Sequence, residues 1–343
     1  MSRADLVAAI LWIGVTLYAV FGGADFGGGM WDLLARDKSG GADAPPHLTR
    51  GRRARALIDH SIAPVWEANH VWLIFVLVVL WTAFPPVFSA VMSTLYIPLA
   101  LAALGIVLRG AGFAFRHALP GPVRGPATRI FGISSVLTPF FMGTVVGAVA
   151  SGEVPADGGG DPTGSWTGVL PLLTGLMFVA VAAYIAAVFL VRDARAAGDD
   201  DLERYFELRA LVMAVIGGAA AVAGVFALHE HGRYVYDGLT SWPGVALVIL
   251  SGICGLTALG LLVAGRWPSF GIRPAAVGAV VAVVWGYFAA AFPYMLPTST
   301  TISGGAGNSS TLLEVIIVFL VAGAVCVPSL ILLYVLSQRQ ALE

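Results

Sequence analysis

Charged residues are scarce in this sequence. Of its 343 residues only 11% are Asp, Glu, Lys or Arg, while 58% are hydrophobic. Soluble domains carry about 25% charged residues, and the mean hydropathy here is +0.86. A chain of this composition cannot cover a water-exposed surface. The composition therefore excludes a soluble domain and predicts a multi-pass membrane protein.

Cysteine is nearly absent as well. Cys254 and Cys326 each lie in an apolar stretch, without a CxxC spacing or a neighbouring histidine. They indicate neither a disulfide nor a metal site, and we expect both to be small buried residues. The net charge of −1 comes without a basic tail, so no nucleic-acid partner is predicted.

Long apolar stretches make up most of the sequence. Nine of them are long enough to cross about 30 Å of hydrocarbon. They cover approximately residues 5–34, 60–82, 86–108, 130–150, 167–191, 210–229, 243–264, 274–292 and 311–336. No linker could hold a soluble domain, so residues 1–343 form a single predicted integral membrane domain. The linker 192–209 predicts a short interfacial helix.

Basic residues are unequally divided between the two ends of these stretches. Seventeen of the nineteen lie at one side, and only Arg3 and Arg233 lie at the other. The positive-inside rule then places the N-terminus outside and the C-terminus in the cytoplasm. That arrangement needs an odd number of spans, which agrees with nine. Arg109 and Arg116 close the third stretch at the cytoplasmic side, where we expect them to be solvated or to contact lipid phosphate.

Two of the apolar stretches carry carboxylates at depth. Asp25 is eleven residues from Arg36, about 16 Å along a helix axis, and Asp32 lies near the inner surface. Glu67 lies about ten residues, or roughly 15 Å, past the cytoplasmic start of the second stretch. A charged residue near the centre of a membrane helix costs roughly 2.5–3.5 kcal/mol to insert. The presence of these acids in membrane helices therefore indicates a structural or functional role.

Asp25 and Glu67 are predicted at similar depths on consecutive antiparallel helices. Such a pair favours a proton relay, because burial and mutual repulsion keep at least one carboxyl protonated and exchangeable. The alternative is that each is a neutral or paired structural group, bonded across the bundle to Asn69, Ser61 or His70. Geometry alone favours neither interpretation.

The histidines and tryptophans of the second stretch give no haem site. His60 and His70 are ten residues apart on one predicted helix, which does not suit two axial ligands on facing helices at a common depth. We therefore expect this chain to ligate no haem. Trp66 and Trp72 are too deep for an interfacial belt and are predicted to be packing residues rather than a quinone platform.

The first apolar stretch is rich in glycine. Gly23 and Gly27 form a GxxxG step on the face opposite Asp25 and Asp32. Small residues let neighbouring helices approach closely, so we expect this helix to lie inside a bundle.

Two polar motifs resemble a known family. Gly23-Ala24-Asp25-Phe26-Gly27-Gly28-Gly29 is similar to the G-F-D-x-G-x-G of subunit II of the cytochrome bd-type quinol oxidases. Residues 60–73 are similar to that subunit's N-S-I-x-P-x-W-D-x-N-x-V-W-L. Shorter agreements are Phe84-Pro85, Tyr96, Pro98, Arg109-Gly110, Phe113, Phe115-Arg116, Ala306, Ser309-Ser310 and Leu312. This sequence departs from the family at Glu67, where Asp is usual, and at His60 and His70, where Asn and an acid or amide are usual.

The resemblance implies an all-α polytopic membrane protein of nine transmembrane helices, with two four-helix bundles plus one peripheral helix, in the bacterial cytoplasmic membrane. It implies a haem-bearing partner, subunit I, with haem b and haem d, in a complex that oxidises quinol and reduces dioxygen to water. A structural quinone or lipid and a small single-helix subunit are further molecules that it allows. The implied proton-path candidates are Asp25, Glu67, His70 and Asp32, with Trp66, Asn69, Ser61, His60, Trp72 and Arg109 as supporting residues.

Two other functions use the same residues. A proton-coupled secondary transporter could employ the buried carboxylates, but it predicts internal repeats and Gly/Pro-broken helices in both halves, and the sequence has neither. A purely structural partner subunit needs no proton transfer at all.

Overall fold

The computed structural model describes residues 2–35, 49–62, 66–118, 124–265 and 271–338. The side chains of residues 62, 66–68, 117, 124, 327, 330, 331 and 333–338 lie outside that description. The α-helices are α1 (Arg3–Leu17), α2 (Gly23–Leu34), α3 (Arg50–Ile62), α4 (Trp66–Ala83), α5 (Pro85–Thr94), α6 (Tyr96–Ala118), α7 (Arg124–Ala150), α8 (Gly164–Thr167), α9 (Val169–Ala196), α10 (Asp200–His231), α11 (Arg233–Thr240), α12 (Gly244–Ala264), α13 (Ile272–Ala291), α14 (Ile302–Gly305) and α15 (Ser309–Gln338). The strands are β1 (Tyr294–Leu296) and β2 (Thr300–Thr301).

The first apolar stretch is one helical run of 32 residues. A capping box starts it, because the Ser2 hydroxyl accepts from the Asp5 N–H and the Asp5 carboxylate accepts from the Ser2 N–H. One turn of π-helix, Tyr18–Gly22, joins α1 to α2. Such turns are rare and frequently lie at functional sites, and this one directly precedes the Asp25 motif.

Eight helices or helical runs in the described ranges are long and apolar enough to cross a membrane. The second predicted span corresponds to α4, which is followed after Phe84 by α5 at a bend of 117°. Pro85 suits the first position of a new helix, because it lacks the N–H that would otherwise be unpaired there. Counting this bent pair as one span gives nine. The count of nine, the orientation and the two-bundle division stay predictions.

The glycines of α2 are required by close helix packing. A Cβ added to Gly27 would lie 2.0 Å from the carbonyl oxygen of Ala182 on α9. A Cβ added to Gly29 would lie 2.1 Å from the Ser135 hydroxyl on α7. Only glycine allows both approaches. The predicted position of this helix inside a bundle is confirmed.

The linker 192–209 is not one short interfacial helix, so that prediction is wrong. α9 continues to Ala196, and α10 begins at Asp200. Gly198 stands between them at φ 69°, and the Asp199 carboxylate accepts from the Leu202 N–H at 3.1 Å. A left-handed glycine and an aspartate N-cap are the ordinary stop and start signals of helices.

Two smaller expectations also change. β1 and β2 form an antiparallel hairpin, a minor exception to the all-α prediction. Cys254 is half-buried, but Cys326 is exposed, because α15 buries little of its surface within this chain. The expectation of a buried residue is therefore wrong for Cys326.

Candidate functional site

Acidic residues on α2 and basic residues on α6 share one spacing. Asp25 and Asp32 are seven residues apart, and so are Arg109 and Arg116. Seven residues make about two helical turns, or about 10.5 Å, so two helices running in the same direction can match both pairs. The structure forms both pairs, Asp25 with Arg109 and Asp32 with Arg116. We call them the deep pair and the shallow pair.

The deep pair is fully bonded. Arg109 donates from Nη1 to Asp25 Oδ2 at 2.7 Å, and from Nη2 to Asp25 Oδ1 at 2.8 Å and to the Asp25 carbonyl at 3.0 Å. Its Nε donates to the Ser135 hydroxyl at 2.9 Å. The guanidinium carbon lies 5.0 Å from the Phe26 ring centre and 4.7 Å from that of Phe131. Bidentate bonding and two aromatic faces hold the cation in one orientation.

The expectation that Arg109 is solvated or bound to lipid is wrong. Its side chain is 2% exposed, and that of Asp25 is 1%. The predicted third span ended at residue 108, but α6 continues to Ala118, so Arg109 lies inside a helix rather than at its end. The Asp25 carboxylate on α2 compensates the cation there.

The shallow pair is arranged differently. Arg116 donates from Nη1 to Asp32 Oδ2 at 3.0 Å and from Nη2 to Asp59 on α3. Its Nε is buried and hydrogen-bonds to none of the described residues. The guanidinium carbon lies 4.2 Å from the Phe131 ring centre and 5.3 Å from that of Phe113. Phe131 thus contacts both guanidiniums, so α7 packs at the junction of the two pairs.

The two pairs differ in how many acids share one guanidinium. In the deep pair one carboxyl bonds Arg109, whereas Asp32 and Asp59 both bond Arg116, and Arg55 bonds the Asp32 carbonyl oxygen. One of the two acids can therefore take up a proton while the other keeps its bond to Arg116. The side chain of Asp59 is 30% exposed, whereas those of Asp32 and Arg116 are 1% and 4% exposed. Asp59 is therefore the more exposed of the two acids that bond Arg116.

Further polar contacts fasten α3 in place. Arg53 pairs with Asp199 and with Asp201, the latter at 2.7 Å. The Ser61 hydroxyl donates to Asp193 at 3.0 Å. Ser61 thus bonds an acid of α9, where the sequence interpretation offered it as a partner for Asp25 or Glu67. The contacts attach both ends of α3 to α9 and α10.

His60 lies on α3, which is described as far as Ile62, and His70 lies on α4, which is described from Trp66. Residues 63–65 lie outside the described residues, so the prediction that both histidines share one helix stays a prediction. His60 is exposed. The His70 ring stacks on Phe26 with ring centres 6.3 Å apart, so it shares that ring with the deep pair. Asn69 beside it is buried, at 6% exposure.

The remaining candidates are Trp72, Trp66 and Glu67. The ring of Trp72 makes an edge contact with Phe75, at 6.4 Å between ring centres, as a packing residue does. The side chains of Trp66 and Glu67 lie outside the described residues. Pairing of Glu67 with Asp25 therefore stays a prediction.

The site was only partly foreseen from sequence. Asp59 was missed, and Arg116 was assigned to the surface. The equal seven-residue spacings on α2 and α6 were the available signal. Asp59 has no such signal, since its contact with Arg116 depends on how α3 docks.

The described residues offer little for a metal or haem. Within them no group of three or more His, Cys, Asp or Glu side chains could hold a metal ion. Both ring nitrogens of His229 are engaged, with Glu230 and with Arg233, each at 2.7 Å. A ring bonded in this way does not present a lone pair to iron.

Comparisons with known proteins point to one family. Residues 4–337 match the family model described as cytochrome bd terminal oxidase subunit II. The chain is 22% identical to the putative cytochrome bd menaquinol oxidase subunit II of Bacillus subtilis (strain 168), over 98% of this chain and 96% of that one. It is 34% identical over 111 residues to the cytochrome bd-I ubiquinol oxidase subunit 2 of Escherichia coli (strain K12), covering 32% of this chain and 25% of that one. A chain of the bd oxidase structure from Geobacillus thermodenitrificans superposes with a TM-score of 0.75 at 25% identity, covering 97% of this chain and 98% of that one.

Proposed function

This chain belongs to the cytochrome bd terminal oxidase subunit II family, and on that premise we propose that it is the haem-free subunit II of a quinol-oxidising terminal oxidase. The match over residues 4–337 carries the proposal. The complex oxidises quinol and reduces dioxygen to water in the bacterial cytoplasmic membrane. This chain crosses that membrane with its N-terminus outside and its C-terminus in the cytoplasm.

The proposed partner is a haem-bearing subunit I with haem b and haem d, which supply the redox chemistry when bound there. The contacts of the histidines support this division, since both ring nitrogens of His229 are bonded and the His70 ring stacks on Phe26. The largely exposed apolar helices α10, α12 and α15 provide surface for the partner and for lipid. A structural quinone and a small single-helix subunit are further proposed components.

We further propose that this chain supplies protons from the cytoplasm. Asp32, which shares Arg116 with Asp59, takes up the proton. The deep pair of Asp25 and Arg109 is a fixed ion pair along the path, and His70 and Glu67 lead onward. The support is the sharing of Arg116 by two acids and the stacking of His70 on Phe26.

A purely structural subunit is the second candidate. The observation that favours it is the complete bonding of the deep pair, because a carboxylate held by two guanidinium bonds is a poor proton carrier. The two functions differ in what happens when an acid is neutralised without unfolding the protein.

The haem assignment is tested by purifying the complex through an affinity tag on this chain. Its polypeptides are then separated under conditions that leave covalently or tightly bound haem in place. We expect visible haem absorbance to follow a second membrane polypeptide. Haem that stayed with this chain would overturn the haem-free assignment.

The proton role is tested with Glu67→Gln and Asp32→Asn in the purified complex. We expect both to lower quinol-driven oxygen consumption while the haem spectrum stays intact. Glu314→Gln is the matched control, because Glu314 is exposed on α15 and should leave turnover unchanged. Wild-type turnover in both acid variants would favour the structural role.

A further inference from the structure

We propose that Asp59 is the cytoplasmic entrance of the proton path and that Arg116 is the positioning residue that couples it to Asp32. The inference rests on the proposed function and extends it to two residues that are not among the proton-path candidates of the sequence. It follows from the arrangement around the shallow pair.

Asp59 connects solvent to the buried acid. Its side chain is 30% exposed, while that of Asp32 is 1% exposed. Both carboxyls bond terminal nitrogens of one guanidinium, that of Arg116. The only other charged group with a described contact here is Arg55, whose Nε lies 3.5 Å from the Asp32 carbonyl oxygen. One side chain from each of α2, α3 and α6 therefore meets at this point.

Arg116 is suited to position these acids and not to carry a proton itself. A guanidinium keeps its protons throughout the physiological range. Its two terminal nitrogens fix the two carboxyls side by side, and its buried Nε bonds no described residue. The water molecule of the proposed transfer therefore bridges the two carboxyls and does not bind at the buried Nε. By contrast, Arg109 bonds Asp25 and Ser135 through all three of its nitrogens.

Proton transfer through this arrangement is balanced as follows. The Asp59 carboxylate gains a proton from cytoplasmic water and becomes a neutral acid. It passes that proton to the bridging water, which gives up one of its own protons to the Asp32 carboxylate. Asp59 returns to its carboxylate form, Asp32 is now the neutral acid, and Arg116 has kept every proton.

The chain offers a closely matched control for Asp59. The side chain of Asp193 is 32% exposed and pairs with Arg273 at 2.6 Å. It also accepts from Ser61 on α3. Asp59 and Asp193 thus resemble each other in exposure and in having an arginine partner, but only Asp59 shares its arginine with Asp32.

The experiment compares Asp59→Asn, Asp59→Glu, Asp32→Asn and Asp193→Asn in the purified complex, with oxygen consumption measured from pH 6 to pH 9. We expect Asp59→Asn to lower turnover by about tenfold at the alkaline end, less than the roughly 10²-fold typical of a positioned proton-transfer group, because water partly bypasses an exposed one. The loss should shrink towards pH 6, where protons are abundant. Asp59→Glu should restore most of the turnover, and Asp193→Asn should keep the wild-type profile.

Each outcome decides between the proposals. Wild-type turnover and pH profile in Asp59→Asn would overturn the inference, and Asp32→Asn would then report separately on the proposed proton role. Equal losses in Asp59→Asn and Asp193→Asn would also overturn it, because docking of α3 would explain both. If Asp59→Asn did not assemble, the pH profile of turnover in Asp59→Glu would be the test. A profile displaced from that of the wild type supports the entrance role, and an unchanged profile refutes it.

Discussion

Removing the cation of the deep pair should be among the most destabilising changes in this chain. Arg109→Met keeps an unbranched side chain but removes four hydrogen bonds, three to Asp25 and one to Ser135. It leaves the Asp25 carboxylate, 1% exposed, without its cation. Breaking a buried pair from one side costs about 3–5 kcal/mol, because an uncompensated charge remains. We expect a loss of that order in the free energy of unfolding.

A double-mutant cycle separates the pair from its surroundings. Asp25→Leu replaces the carboxylate with an apolar group of similar volume, and should also cost about 3–5 kcal/mol when Arg109 is present. The double variant should be more stable than either single variant, because no buried charge is left unpaired. The coupling free energy should therefore be at least about 3 kcal/mol, at or above the upper end of the range for contacting residues.

The assay is denaturant unfolding in detergent micelles, followed by tryptophan fluorescence, with melting temperature as a second measure. Arg233→Met is the control, because Arg233 and Asp237 form an exposed i,i+4 pair with side chains 60% and 57% exposed. Such pairs contribute less than about 1 kcal/mol. Additive losses in the double variant would show that Asp25 and Arg109 are not coupled and would refute the reasoning.

Three further predictions concern packing and docking. Gly27→Ala should prevent assembly of the complex, measured by co-purification, because the added Cβ would lie 2.0 Å from the Ala182 carbonyl oxygen. The control Gly110→Ala should assemble normally, because no atom lies within 4 Å of its added Cβ. Trp31→Phe should lower the free energy of unfolding by about 1 kcal/mol or more, because Nε1 loses its 2.8 Å bond to a buried α9 carbonyl. Arg53→Gln should speed amide hydrogen exchange in α3, because it removes the ion pairs to Asp199 and Asp201. Added salt should reduce the difference in exchange rate between variant and wild type, because these pairs are partly exposed and screened by salt. Equal exchange rates would contradict the docking of α3 through Arg53.

The sequence was sufficient for the membrane character and for the buried position of α2. Composition and nine apolar stretches predict the first, and the Gly23–Gly27 step predicts the second. Both depend on properties that are local in the chain. The family resemblance likewise rests on short motifs, and the match over residues 4–337 confirms it.

The partners of the buried acids could not be obtained in the same way. The positive-inside rule treats an arginine at the end of an apolar stretch as a surface marker. Arg109 and Arg116 break that assumption because carboxylates of α2, 84 residues earlier in the chain, compensate their charge. Contacts at such separation depend on how α2, α6 and α7 pack, and no window of the sequence contains that information.

The most direct test of the account is quinol-driven oxygen consumption by the complex purified through this chain. We expect oxygen to be reduced when quinol is added, with a haem spectrum that belongs to the partner polypeptide. Membranes from cells that express the partner without this chain should lack this activity. A stable, colourless protein that purified alone and transported a solute in vesicles would contradict the assignment.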